Sequence, residues 1–476
     1  MADPFKETVR VESRLPPIWQ WAWFLAFFCG VMSLGFSAWC QRPLASDGAN
    51  FIHGLLSAMD FARDALFLRF NDFIPQAPAV LFMRIFGEGF LPATKMLLFF
   101  SYAWITPLGT VLALGLCRYY RKPEAMVGPF LSFGVSSLPA AAFSLSIVPN
   151  SLAVFWPIFL IQTYGSKRGR EFALFLLLSL VLAFGHESSL LLTLLLFLFA
   201  LVGRHWLAAT VNMISSIAYL ARLARTDSRL LSNFFSHSSP ALYNGWAFVF
   251  LVLFTLILGA SASRLFSHRR QRAVAGIAAV LVAVFCCGLL IQWSSYLSTI
   301  LIFRAAAPVF LGLVALLVRI MDPEWRVCSL MRDDFPVNAA MKNVVYFVTL
   351  LALIFGFVND LRVTSHWNKA VNLLRAYAAE RKDQTCFEIP RTFYEKNLAG
   401  EGIADFCLSQ LWALLQPGGV VDQFIWVNPR VDEGRSGLDP CRHLHDLPFS
   451  IITPFRGSFF RLDGKGFDYR FLRPRH

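Results

Sequence analysis

The chain has 476 residues, of which 56% are hydrophobic and only 15% charged, with 48 Phe and a formal net charge of +13. A soluble domain carries about 25% charged residues, so a water-solvated globule is excluded and lipid is the expected solvent. Most of the positive excess sits in short connections beside apolar runs, where topology and anionic headgroups account for it, and nucleic acid is excluded as a partner.

Lys6, Arg10 and Arg14 precede the first apolar run and place residues 1–16 in the cytoplasm. That run, roughly Pro17 to Trp39, has the length a bilayer requires and no clear small-residue cleavage site after it, so it is retained as the first transmembrane helix. Residues 41–91 therefore form a first outer loop. Within it, Gly48 to Phe70 reads as an amphipathic interfacial helix, and Pro75 to Phe90 as a short apolar segment interrupted by Arg84, interfacial or re-entrant rather than spanning.

Further spans are expected near 92–117, 125–145, 150–165, 171–185, 189–203, 207–222, 242–263, 273–293, 298–318 and 344–359, eleven with the first. The 207–222 segment carries Asn212, Ser215, Ser216 and Tyr219. Parity keeps it as a span, because removing it would put Arg264 to Arg272 outside. Residues 17–359 thus form an all-α transmembrane domain, with 233–244 as an outer loop and 319–343 as an inner one. The remainder, 360–476, reads as a small mixed α/β extracytoplasmic domain, with helical spacing over Trp367 to Glu380 and short β-like runs such as Phe424 to Val427.

Sidedness rests on an alternation of charge. Arg118, Arg121 and Lys122, then Lys167, Arg168 and Arg170, then Arg264, Arg269, Arg270 and Arg272 crowd every second connection. The intervening ones, 146–151, 186–189 and 294–299, hold no Lys or Arg. Basic connections stay in the cytoplasm, so chemistry at the outer face must come from the second set and from the first loop.

Four polar groups stand out at that face. Asp47, a few residues past the first span, is placed to accept a proton from an acceptor hydroxyl, or else to cap the helix that follows. His53, Ser57, Asp60 and Asp64 recur on one face of that helix, as a solvated face or a substrate surface, opposite Leu55, Leu56, Met59 and Ala62. His186 and Glu187 occupy a connection too short to leave the membrane boundary, where a titrating imidazole and a desolvated carboxyl suit catalysis and a mutual contact is the structural alternative. Arg304, inside a span, fits a phosphate or a buried ion pair, and Arg84 a second phosphate contact or a snorkelling cation. Asn71, Asp72, Gln76 and Asn150 are read as caps or turn residues.

No phosphate-cradling glycine loop, HExxH or GxSxG motif is present, and no cysteine spacing fits a metal. His443, His445 and Asp446 form only half a metal set. Cys386, Cys407 and Cys441 lie in the tail, where one pair could join as a disulfide, while Cys29, Cys117, Cys286 and Cys287 are packing residues. Trp367, Trp412 and Trp426 suit sugar stacking or core packing.

The first loop with Asp47 soon after the first helix, its interfacial segments, the eleven spans and the outer C-terminal segment together resemble the GT-C superfamily of polytopic glycosyltransferases, most of all its bacterial glycan-modifying members. The resemblance implies transfer of a sugar from a polyprenyl-phosphate-linked donor to a glycan or lipid acceptor at the outer face of the inner membrane, with inversion. In that frame Asp47 is the general base, His186 and Glu187 orient substrate, His53 and Asp60 contact it, and Arg304 with Arg84 stabilises the departing phosphate. Many members carry paired acids where this chain has Asp47 followed by Gly48, which leaves a divalent cation as an open cofactor question. A polysaccharide polymerase or ligase of the O-antigen type, and a lipid-linked glycan flippase, are the competing classes.

Overall fold

The computed structural model describes residues 16–45, 73–86, 90–139, 148–166, 168–185, 188–226, 300–322, 339–384, 386–401, 408–415 and 424–427, with short pieces at 48–49, 52, 55–56, 61, 282, 284, 403, 420–421 and 461–462. The described chain is mostly helical. Its elements are α1 (Pro17–Trp39), α2 (Phe73–Phe86), α3 (Leu91–Tyr119), α4 (Val127–Ser132, running into a π turn at Phe133–Ser137), α5 (Val148–Tyr164), α6 (Gly169–Ala183), α7 (Ser188–Val202), α8 (Trp206–Thr226), α9 (Ile300–Met321) and α10 (Ala339–Ala379). After these come β1 (Cys386–Ile389), α11 (Arg391–Asn397), α12 (Leu408–Leu415), β2 (Val420–Val421), β3 (Phe424–Val427) and β4 (Arg461–Leu462). Among the described residues three helices are long and apolar enough to cross a membrane: Pro17–Trp39, Pro92–Tyr119 and Lys342–Ala379. The expected spans at 242–263 and 273–293, and the loop at 233–244, lie outside the described residues apart from 282 and 284.

The first helix illustrates how lipid acts as solvent. It is apolar all round, yet only the face with Trp23, Phe27, Gly30 and Leu34 is buried. Ile18, Trp21, Leu25 and Trp39 are 65% exposed or more, which water would penalise and a bilayer rewards. α1 runs alongside α10 in the same direction. Trp23 donates its indole N–H to the Tyr346 carbonyl at 3.1 Å near their start, and Trp367 donates to the Cys40 carbonyl at 3.0 Å near the end of α1.

Close backbone approach holds the bundle together. A Cβ on Gly356 would strike the Gly134 carbonyl, and one on Gly134 would meet the Ala352 carbonyl at 2.6 Å, so α10 crosses the π turn with no side chain between. Gly109 meets the Ala153 backbone in the same manner, joining α3 to α5. Apolar solvent gives helices little reason to associate hydrophobically, and small residues of this kind let dispersion and weak polar contacts do so instead.

The expected division between a last span ending at 359 and a separate helix starting at 367 is not found. α10 is one helix of 41 residues. Its sequence from Ala339 to Ala379 contains no Pro and a single Gly, so nothing ends the hydrogen-bond ladder. At about 1.5 Å per residue it is roughly 60 Å long, twice a hydrocarbon core. The last turns carry the C-terminal elements: Tyr377 packs on Phe393 and Phe387, with ring centroids at 4.7 and 6.0 Å, and Arg381 stacks over Tyr377 at 3.7 Å. β1 pairs with β3 in parallel, Cys386 opposite Phe424 and Ile389 opposite Val427.

One end of the bundle gathers basic turns. Tyr120 donates to Glu171 at 3.2 Å, bringing the turn after α3 to the start of α6. Lys122 and Tyr164 both reach Asp322, at 3.4 and 2.8 Å, and Lys342 pairs with Glu124 at 2.5 Å. Arg118, Arg121 and Arg168 belong to these same turns.

Candidate functional site

The opposite end holds a second set of buried polar groups. α1 finishes at Trp39, and Gln41 takes a left-handed φ of 59°, a conformation uncommon without glycine, which turns the chain sharply into a short 3-10 helix, Arg42–Leu44. That turn drives Arg42 inward, to 3% exposure. Its guanidinium pairs with the Asp360 carboxylate at 2.6 Å and donates to Thr364 at 3.1 Å. Burial pulls the Arg42 guanidinium below its ordinary value, and the adjoining Asp360 carboxylate counters that pull. Two opposite charges out of water are tolerable only with such direct pairing.

Beyond the turn, the Gly48 N–H donates to the Ala45 carbonyl at 3.1 Å. Ala49, Ile52, Leu55 and Leu56 are fully buried in the protein. For Leu55 and Leu56 this agrees with the face assigned to them from their spacing.

Beside the Arg42 turn lies a cavity of about 500 Å³, lined by Gln41, Pro92, Lys95, Met96, Arg375, Trp412 and Leu415. Four elements meet there: the exit of α1, the first turns of α3, the far end of α10, and α12. Lys95 is 5% exposed and donates its ammonium to the Leu414 carbonyl at 2.5 Å, so the membrane helix α3 grips α12 of the C-terminal segment. Arg375 is the second cation, close enough for Lys95 to feel its charge. No carboxylate is among the described lining residues. Two buried polar atoms on the lining side chains, the Trp412 indole N–H and Gln41 Oε1, meet no partner among the described residues.

The residues singled out from the sequence are distributed as follows. Asp47, His53, Asp60, Asp64, His186 and Glu187 lie outside the described residues, as do Asn71, Asp72, Cys407, Cys441, His443, His445 and Asp446. Arg304 is in the first turns of α9, with its side chain outside the description, and the same holds for the side chains of Cys386 in β1 and Trp426 in β3. Arg84 is exposed in the last turn of α2 and does not line the cavity. The flanks of the His186 and Glu187 connection are described: Gly185 is buried against Ser151 and Ser189, whose hydroxyls are 2.6 Å apart. Among the described residues no group of three His, Cys, Asp or Glu could hold a metal ion.

Gln76, read as a cap or turn residue, lies inside a helix, and Trp367 takes the packing alternative. Gln76 is buried inside α2 and donates to the Tyr102 hydroxyl at 3.3 Å, tying α2 to α3. Trp367 packs at 1% exposure and makes its hydrogen bond to Cys40, whereas Trp412 lines the cavity. In α8, Asn212 donates to Gln162 at 3.0 Å, and Ser216 to its own helix at 2.9 Å, so the polar residues of this helix face protein and fasten it to α5.

Sequence reasoning passed over Arg42, Lys95, Asp360 and Arg375. Two signals were available. Arg42 is a cation immediately after a long apolar run, and Lys95 is a single charge in another; each is costly when buried unless it has a partner. No family model, curated protein or solved structure matches the chain.

Proposed function

We propose that this chain is an inner-membrane glycosyltransferase of about eleven spans, with the N-terminus cytoplasmic and the C-terminal segment extracytoplasmic. It moves a sugar from a polyprenyl-phosphate-linked donor to a glycan or lipid acceptor. The observation that carries this reading is the buried Arg42–Asp360 pair, which ties the root of the loop containing Asp47 to α10. A general base must be held within a fraction of an ångström of its working position, and a loop pinned at its root by an ion pair meets that need better than a free tether.

In the reaction, Asp47 takes the proton of the acceptor hydroxyl as its oxygen attacks the anomeric carbon from the face opposite the leaving group. The bond from that carbon to the phosphate oxygen breaks, the electron pair leaves with the polyprenyl phosphate, and the configuration inverts. Arg304 and Arg84 stabilise the developing phosphate charge, His186 and Glu187 orient the substrates, and His53 and Asp60 contact them. The polar residues of α8 lend no support to a transport path, since Asn212 is bonded to Gln162 within the bundle.

The test uses the full chain in nanodiscs, supplied with a polyprenyl-phosphate-linked radiolabelled sugar and a glycan acceptor. Free polyprenyl phosphate and labelled product should appear together, and Asp47→Asn and Glu187→Gln should each lower the rate by about 100-fold or more. Full activity in both variants would remove the catalytic assignment. Movement of intact donor across a vesicle membrane without cleavage would replace it with transport.

A further inference from the structure

The cavity beside the Arg42 turn is lined by Lys95 and Arg375. Two cations share one space, and the described residues lining it offer no carboxylate to separate them. Like charges in a partly dry site repel, and an anion seated between them converts that repulsion into two attractions. Lys95 uses a bond to the Leu414 carbonyl and retains ammonium protons for a ligand. Arg375, exposed at the rim, presents the planar fork that suits a phosphate or carboxylate.

The other walls narrow the ligand further. The flat indole of Trp412 with Met96, Pro92 and Leu415 offers an apolar surface for the face of a ring. At about 500 Å³ the space takes a hexose with a charged substituent.

We infer that this cavity binds a glycan-borne anion: a phosphate or carboxylate held by Lys95 and Arg375, on a sugar ring resting against Trp412. The inference deepens the transferase reading and rests on it only for the source of the anion, which is an acidic group on the acceptor or the lipid carrier's phosphate, the second outcome taking that contact from Arg84 and Arg304. Because Lys95 also grips Leu414, the site exists only while α12 is docked. The C-terminal segment is therefore a wall of the site.

Binding is measured by calorimetry on the full chain in phosphatidylcholine nanodiscs, with glucose 1-phosphate, glucuronate, inorganic phosphate and glucose as probes. Glucose 1-phosphate or glucuronate should bind at least about tenfold more tightly than glucose and than inorganic phosphate. Arg375→Gln, at an exposed position, should weaken the charged probe by about tenfold while the protein stays folded. Trp412→Leu removes the aromatic wall and should lose several-fold for the sugar-bearing probes. Lys95→Gln should lose the most, and its folding is checked by the same nanodisc elution as wild type. Displacement of the probe by polyprenyl phosphate assigns the anion to the lipid carrier, and retention assigns it to the acceptor; both support the site. Glucose binding as tightly as its phosphate, or unchanged binding in Arg375→Gln and Trp412→Leu, overturns it. Asp47→Asn should bind the probes like wild type, so loss of transfer with intact binding bears on the transferase reading alone.

Discussion

Arg42 and Asp360 are 318 residues apart in the chain and make a 2.6 Å ion pair with both side chains almost wholly buried. Removing one partner leaves a lone charge in a dry bundle, which costs about 3–5 kcal/mol, whereas replacing both with apolar residues of similar size costs little. Asp360→Asn and Arg42→Met should each lower the thermal midpoint in nanodiscs. The double variant Arg42→Met with Asp360→Leu should recover most of the loss. Recovery of stability without recovery of transfer would separate the pair's structural role from its placement of the first loop.

The crossing at Gly134 and Gly356 predicts a contrast among glycines of helical backbone. Gly356→Ala puts a methyl group against the Gly134 carbonyl, which is backbone and cannot swing away. Gly115→Ala meets nothing within 4 Å and removes a glycine from a helix interior. The first should cut the yield of monodisperse protein severalfold, and the second should match or exceed wild type by about the difference in helix propensity, up to 1 kcal/mol. Size-exclusion profiles of extracted protein give the comparison.

Lys95 is the point at which the membrane bundle grips α12. Lys95→Met preserves the aliphatic stem and removes the donor. Limited proteolysis should then cut near 408–415 several times faster than in wild type, while α1 to α10 remain protected. Equal cleavage rates would show that the Leu414 contact contributes nothing to docking.

The sequence revealed the elements whose cause is local. Apolar runs bounded by basic or small polar connections located the helices α5, α6, α7 and α9 to within a few residues, because such a run is a local property of composition. A helix also stands at 206–226, where a span was expected at 207–222 despite Asn212 and Ser216, and Asn212 is accommodated by its bond to Gln162. The continuity of α10 was missed, since polar residues such as Asn359 and Asp360 read as a membrane exit when Arg42 is not known to face them. The cavity could not be read for the same reason. Gln41, Lys95, Arg375 and Trp412 come from four distant segments, and only tertiary packing makes them neighbours.

The central claim is that the cavity, the Arg42 turn and the C-terminal segment share one side of the membrane, opposite the basic turns at Arg118 and Arg168. Accessibility of epitope tags to antibody in cells with the outer membrane opened and the inner membrane intact tests it directly, with one tag placed after His476 and another at Lys167. The account predicts that the C-terminal tag is bound in these cells and the Lys167 tag only after the inner membrane is opened. Binding of both tags from outside, or of the Lys167 tag alone, would contradict it.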